Sequence, residues 1–164
     1  MFFKFISKCL EIRNRIRSSY YRKLLNIPKN NKFRIYGQID IVNPKNIKID
    51  DNVAINHRAY LNGSGGIEIS KDVVISAHVK IISTGLDTTN WGKRKDGSIV
   101  SHTGKPIFVG EKCWIGAGTT ILAGVNITGK GIIIAANSVV NKDFSEDNVI
   151  IGGTPAKIIK KIEN

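Results

Sequence analysis

Three histidines, His57, His78 and His102, are the side chains best suited to proton transfer near neutrality. An imidazole with its ordinary pKa near ~6.5 can accept a proton from a hydroxyl and return one to a leaving group. Gaps of 21 and 24 residues between them leave no close pair of the kind a three-histidine zinc site uses. The two cysteines, Cys9 and Cys113, lie far apart without zinc-like spacing. A reduced, intracellular compartment is their simpler reading. His102 has the most distinctive setting, because it closes the polar, Gly-rich stretch GLDTTNWGKRKDGSIVSHTGKP at 85–106. Loops of that length inside a compact domain are usually functional or disordered, and this one lies between two regular blocks, which favours function.

Within that stretch His102 reads as a general base, with a solvated loop histidine as the alternative. Asp87 could orient an imidazole or bind acceptor hydroxyls, or could be an exposed loop acid. Trp91 could stack on a sugar ring or cover the neighbouring chain. His57 and His78 fall in short turns, where a surface or interface role is expected.

The elements that must position these groups are announced by a beat of six. Branched apolar residues recur at Val109, Ile115, Ile121 and Ile127, and resume at Ile134 and Val140. Upstream the same beat runs through Ile49, Ile55 and Leu61, then Ile69, Ile75 and Ile81, delayed by two residues at Gly63–Gly66. Six fits neither the 3.6-residue helix nor a simple period-2 hairpin sheet. It fits an all-β solenoid of short strands and tight turns, with about 18 residues per coil and about five coils. Small residues (Gly116, Ala117, Gly118, Ala123, Gly124, Ala135, Ala136) fill the turns, which suits tight corners and close approach of a ligand to the backbone. A last short strand is expected at Val149–Ile151, followed by a short basic helix after Pro155.

The net charge of +12 is uneven. Residues 1–34 hold ten Lys or Arg against the single acid Glu11, giving +9 and leaving +3 for the other 130 residues. Residues 2–25 read as an amphipathic helix, with Phe2, Phe5, Ile6, Cys9, Ile12, Ile16 and Tyr20 at three- and four-residue spacing. Pro28 and Asn30–Asn31 end it. Such a helix either packs on the end or flank of the repeat body or lies on anionic lipid. Nucleic acid is a weaker option, because no recognised binding motif accompanies the charge. Two parts are therefore expected: a basic helix at 1–32 and a repeat domain at 33–164. No run approaches the ~18 apolar residues of a membrane span. The first residues lack a secretory signal pattern.

The blocks NVAINHRAYLNGSGGIEISKDVVIS, KPIFVGEKCWIGAGTTILAGVNI and IIIAANSVVNKD…VIIGGTPAKIIKKI resemble, in order, the landmarks of the hexapeptide-repeat acyltransferases. The closest likeness is to the maltose/galactoside-type O-acetyltransferase branch, which includes surface-polysaccharide acetyltransferases. The resemblance covers about residues 33–162. It implies a left-handed parallel β-helix, whose hand the general crossover rule would not give. It also implies a homotrimer with acyl-CoA in the groove between neighbours, no metal, and acetyl transfer to a sugar hydroxyl in surface polysaccharide synthesis.

By the same resemblance, Trp114, Gly116, Ala117, Ala136 and Asn141 match positions lining the pantetheine arm. Lys142, Lys157 and Lys160 match residues on the coenzyme phosphates. Asn62 falls where relatives carry an acceptor-binding Asn or Asp. The family's usual base sits in a T-x-H-D pattern; here the stretch is Ser83-Thr84-Gly85-Leu86-Asp87, with Leu86 in the histidine slot. His102 is then the candidate replacement. N-acetylation of an amino-sugar nucleotide, a catalytically silent scaffold and a γ-class carbonic anhydrase remain as alternatives, the last disfavoured by the histidine gaps.

Overall fold

Each six-residue beat becomes one strand and one corner, and three of them close one coil of a parallel β-solenoid. The structure is a computed structural model and describes residues 2–89, 91–93, 97 and 99–163. Asn90, residues 94–96 and Ser98 of the expected loop lie outside these, as do the side chains of Phe2 and Phe5.

Helix α1 spans Phe2–Leu24. The first coil contains β1 (Arg34–Ile35), β2 (Asp40–Val42) and β3 (Ile47–Ile49). The second contains β4 (Ala54–Ile55), β5 (Tyr60–Asn62) and β6 (Ile67–Ile69). In the third, β7 (Val74–Ile75) and β8 (Lys80–Ile82) precede an excursion holding β9 (Thr84–Leu86) and β10 (His102–Gly104), and β11 (Ile107–Val109) completes the coil. The fourth has β12 (Trp114–Ile115), β13 (Thr120–Ile121) and β14 (Asn126–Ile127). The fifth has β15 (Ile133–Ile134) and β16 (Val139–Val140), with Phe144 bridging to Ile127 on the third side. β17 (Val149–Gly153) begins a sixth coil, and β18 (Ala156–Lys161) follows it.

Like strands stack into three sheets, which form the sides of a prism. Side A is ordered β1-β4-β7-β12-β15-β17-β18, side B β16-β13-β8-β5-β2 and side C β14-β11-β6-β3. The register puts like residues over like. Ile35, Ile55, Ile75, Ile115, Ile134 and Ile151 form one inward column, each at most 2% exposed. Ile41, Leu61, Ile81, Ile121 and Val140 form a second, and Ile49, Ile69, Val109 and Ile127 a third. Burying each side chain fully contributes about 1.5–3 kcal/mol relative to exposure.

The corners need residues that tolerate positive φ. Between sides C and A these are Asn52, Asp72, Lys112, Gly131 and Asn148, at φ 52 to 68°. Asn and Asp accept the left-handed region more readily than most side chains. Between sides A and B the same place is taken by Arg58, His78, Gly118 and Asn137.

Two expectations change in detail. The residues after Pro155 form strand β18, not a helix. Ile158, Ile159 and Ile162 have a spacing that suits one helical face, but β17 would otherwise end the sheet with open backbone groups. β18 pairs antiparallel to it, Ile151 opposite Ile158 and Gly152 opposite Lys157. The first two coils are also longer than 18 residues, repeating from Ile35 to Ile55 to Ile75. The corner between sides B and C is widened there, by the turn Pro44–Asn46 and then by residues 63–66.

Helix α1 stops where Asn26 adopts φ 52°, two residues before Pro28. Only its last turns pack on the body. Tyr21, Leu25 and Ile27 are buried, and the Tyr21 hydroxyl donates to the Ile39 carbonyl (2.9 Å) while accepting from the Ile39 amide (3.1 Å). The Arg22 guanidinium donates to the Pro28 and Asn31 carbonyls and lies 5.9 Å from the Phe33 ring centre.

Candidate active site

The excursion leaves the prism at the corner between sides B and C through a closed neck. Ser83, fully buried, donates from its hydroxyl to the Asn62 carbonyl (2.5 Å) and accepts from the Gly65 amide (2.8 Å). The returning chain is tied to the same residue, since the Lys105 amide donates to the Ser83 carbonyl (2.9 Å). A Cβ at Gly65 would fall on the Ser83 carbonyl oxygen and the Lys105 amide nitrogen, so glycine is required there.

Beyond the neck, β9 and β10 form an antiparallel ribbon in which His102 stands directly opposite Leu86. Residues opposed in such a ribbon have Cα atoms about 4.5–5.5 Å apart and side chains on one face. The imidazole of His102 therefore emerges beside the slot that the resemblance reserves for a histidine. Both residues are exposed.

Asp87 is not joined to His102 by any hydrogen bond among the described residues. Its amide donates to the Ser101 carbonyl (3.0 Å), and its carboxylate accepts from the Thr89 amide (2.9 Å). Hydrogen bonds from Thr89 hold the carboxyl below its ordinary value. Strand alternation turns Asp87 to the opposite face of the ribbon from His102.

Trp91 opens a 3-10 turn at Trp91–Lys93 and is about half exposed. Asn62 belongs to the neck: its Nδ2 donates to Thr84 Oγ1 (3.2 Å) and its Oδ1 accepts from the Ser64 amide (3.0 Å). Sequence reasoning missed Ser83 and Thr84 as the groups that fix this neck. A buried serine at the exact break in the six-residue beat was the signal available.

The residues matched to a coenzyme site fall mostly on another edge. Gly116, Ala117 and Ala136 stack at the corner between sides A and B, where the Asn137 amide donates to the Ala117 carbonyl (2.8 Å). A Cβ at Gly116 would meet the Ile134 carbonyl oxygen and the Ala136 nitrogen. Small side chains thus line this corner along two coils, whose backbones pack closely there. Trp114 faces outward from side A beside it, its Nε1 donating to Ser76 Oγ (2.9 Å). His57 and His78 occupy the same corner two and one coils earlier, ring centres 5.6 Å apart and edge to face. Asn141 departs from this group. It follows Val140 as Asn62 follows Leu61, so it lies on the edge between sides B and C. Lys142 lies beside it, 5.6 Å from the Phe144 ring centre, whereas Lys157 and Lys160 are on β18 against side A.

His102 and the small-residue corner of Gly116, Ala117 and Ala136 thus lie on different edges of the prism, with side B between them. Among the described residues no cluster of three or more His, Cys, Asp or Glu is placed to hold a metal.

Comparison with known proteins adds kinship to this geometry. No family model matches the chain. It is 38% identical over 119 residues to an acetyltransferase, provisionally so named, of Saccharomyces cerevisiae (YJL218W), covering 71% of this chain and 57% of that one. It is 32% identical over 125 residues to WbbJ of Escherichia coli, provisionally named a lipopolysaccharide biosynthesis O-acetyl transferase, covering 70% and 60%. The chain therefore spans a little over half the length of the curated relatives it matches. Among solved structures, the hexapeptide-repeat acetyltransferase VCA0836 of Vibrio cholerae, complexed with acetyl coenzyme A, superposes with a TM-score of 0.68 at 23% identity. That match covers 93% of this chain and 88% of the other, and it establishes the shared fold. By sequence this chain is similar over 119 to 125 residues to proteins named as acetyltransferases, and by architecture it shares the fold of the hexapeptide-repeat acetyltransferase VCA0836.

Proposed function

We propose that this chain is an acetyl-CoA-dependent O-acetyltransferase that acetylates a sugar hydroxyl during surface polysaccharide synthesis. The observation that carries this reading is His102 standing opposite Leu86, which returns an imidazole to the place a base would occupy in the related enzymes.

The acceptor hydroxyl gives its proton to the His102 imidazole as its oxygen attacks the thioester carbonyl. A tetrahedral oxyanion forms and is stabilised by backbone N–H groups. It collapses with expulsion of the coenzyme thiolate, which recovers the proton from the imidazolium. The products are an O-acetyl sugar and free coenzyme A. Trp91 and Asn62 hold the sugar, whereas Asp87, on the other face of the ribbon, accepts from the Thr89 amide and braces the turn.

The corner of Gly116, Ala117 and Ala136, with Trp114 at its side, receives the pantetheine arm. Lys157 and Lys160 meet the coenzyme phosphates, and Asn141 and Lys142 contribute from the neighbouring edge. The two half-sites of this reading lie on separate edges of one prism, so a homotrimer in which each chain lends its Gly116 corner to the next chain's excursion completes the centre. The enzyme works in the cytoplasm, at the inner face of the membrane, which residues 2–25 contact.

The test is release of free thiol from acetyl-CoA on addition of an acceptor, with the product examined by mass spectrometry. A hydroxyl-only glycan that gains one acetyl group supports the reading. Transfer confined to an amino-sugar nucleotide, or no coenzyme binding by calorimetry, overturns it.

A further inference from the structure

The N-terminal helix docks on the body with the wrong face for an ordinary packed helix. Tyr21 and Leu25 are buried and Asn14, Arg17, Ser18 and Arg22 half-buried in this stretch, and they form one row at three- and four-residue spacing. The row Ile12, Ile16, Tyr20 and Leu24, turned by roughly 130° at 100° per residue, is 49, 66, 60 and 36% exposed. Phe3, Ile6 and Leu10 are exposed as well. The helix therefore uses its polar boundary to hold the body and leaves its apolar face uncovered.

That face continues into a basic cleft. Lys23 and Leu24, at its lower end, line an opening of about 580 Å³ together with Pro44, Lys45, Ile47 and Lys48 of the first coil. The only ion pair described among these lysines is the long contact of Lys48 with Glu68, at 4.0 Å on the exposed surface. An apolar stripe and three ammonium groups thus share one side of the molecule.

Charge decides what covers this side. Residues 1–34 carry net +9 and the remaining 130 carry +3, so a second copy brings net positive charge to the helix. A shallow apolar layer faced with phosphate does, since basic amphipathic helices seat at the headgroup boundary of anionic bilayers. No helix among the described residues is long and apolar enough to cross a membrane.

We propose that α1 lies in the surface of an anionic phospholipid bilayer, with Ile12, Ile16, Tyr20 and Leu24 against the acyl chains just below the headgroups. Lys23, Lys45 and Lys48 then engage lipid phosphates at the foot of the helix. This deepens the membrane contact proposed above and fixes which face makes it.

The experiment is vesicle co-sedimentation of the full chain with phosphatidylglycerol/phosphatidylcholine vesicles and with phosphatidylcholine alone. Binding should require phosphatidylglycerol and weaken with salt. Ile12→Ser with Ile16→Ser should cut it about tenfold or more, and so should Lys23→Gln, Lys45→Gln and Lys48→Gln together. Equal binding of either variant and the parent overturns the proposal, as does equal binding to both vesicle types. A fall in mass by light scattering in the isoleucine variant would make this face an interface between copies, which also overturns it. The variants should transfer acetyl to a soluble acceptor at the parental rate. Vesicle binding without any transfer would sink the enzymatic reading alone.

Discussion

The prism and its excursion are built on opposite rules. Inward positions of the prism are Ile, Leu or Val in uninterrupted columns, almost all without exposure, and every rung repeats its neighbour's hydrogen bonds. From Thr84 to Lys105 no described residue is buried, and the ribbon β9–β10 pairs with itself alone. The difference teaches that stability and chemistry are held in separate segments. Damage to the columns should cost folding, whereas damage to the ribbon should cost turnover.

The strongest way to break this contrast is to remove a column member. Ile121→Ala should destabilise the chain by about 2–5 kcal/mol, read from urea unfolding. A loss well under 1 kcal/mol would mean that the prism does not carry the stability. Next in size is His102→Ala. It should lower kcat by a hundredfold or more, as expected for loss of a general base, with the thermal midpoint unchanged. If the midpoint falls with the rate, the ribbon supports the fold and the separation is false.

Gly65→Ala sits on the boundary and should affect both. Its Cβ displaces the neck, which predicts a loss of about 2 kcal/mol and reduced turnover together. The smallest effect concerns Cys113, a buried member of the prism. Burial pushes its thiol up from 9.0 to about 11, so the folded chain binds that proton more tightly than the unfolded one. Its contribution is complete below about pH 9 and is lost as pH rises towards about 11. The stability advantage over Cys113→Ala should shrink by ~2 kcal/mol across that interval. Exposed Cys9 should react with thiol reagents throughout.

The prism was legible because one period governs it: each six-residue step from Val109 to Ile127 lands on a side. The C-terminal strand was less so. Local spacing in AKIIKKI suits a helix, and only the open edge of β17 makes it a strand. Within the site, His102 was visible as the one histidine in a long polar insertion. Its pairing with Leu86 was hidden, because fifteen residues of aperiodic chain separate them and only the neck sets the register. The separation of Asn141 from the Gly116 corner was hidden for a related reason: motif order along the chain does not say which edge a residue occupies. The helix hid its docking face too, since half-buried Asn14 and Ser18 share a row with buried Tyr21 and Leu25 while Ile12 and Ile16 stay exposed.

Because one backbone bond between Ser83 and Lys105 shuts the excursion off, the rungs above and below do not register how much chain lies outside. Closing a longer insert adds only a slowly growing entropic cost, about 0.6 kcal/mol per doubling of length. Segments of different size and composition could therefore be spliced in at this single latch while the coil count stays fixed. Diversification of such a scaffold has a ready hinge point where new specificities can be tried without refolding the rest.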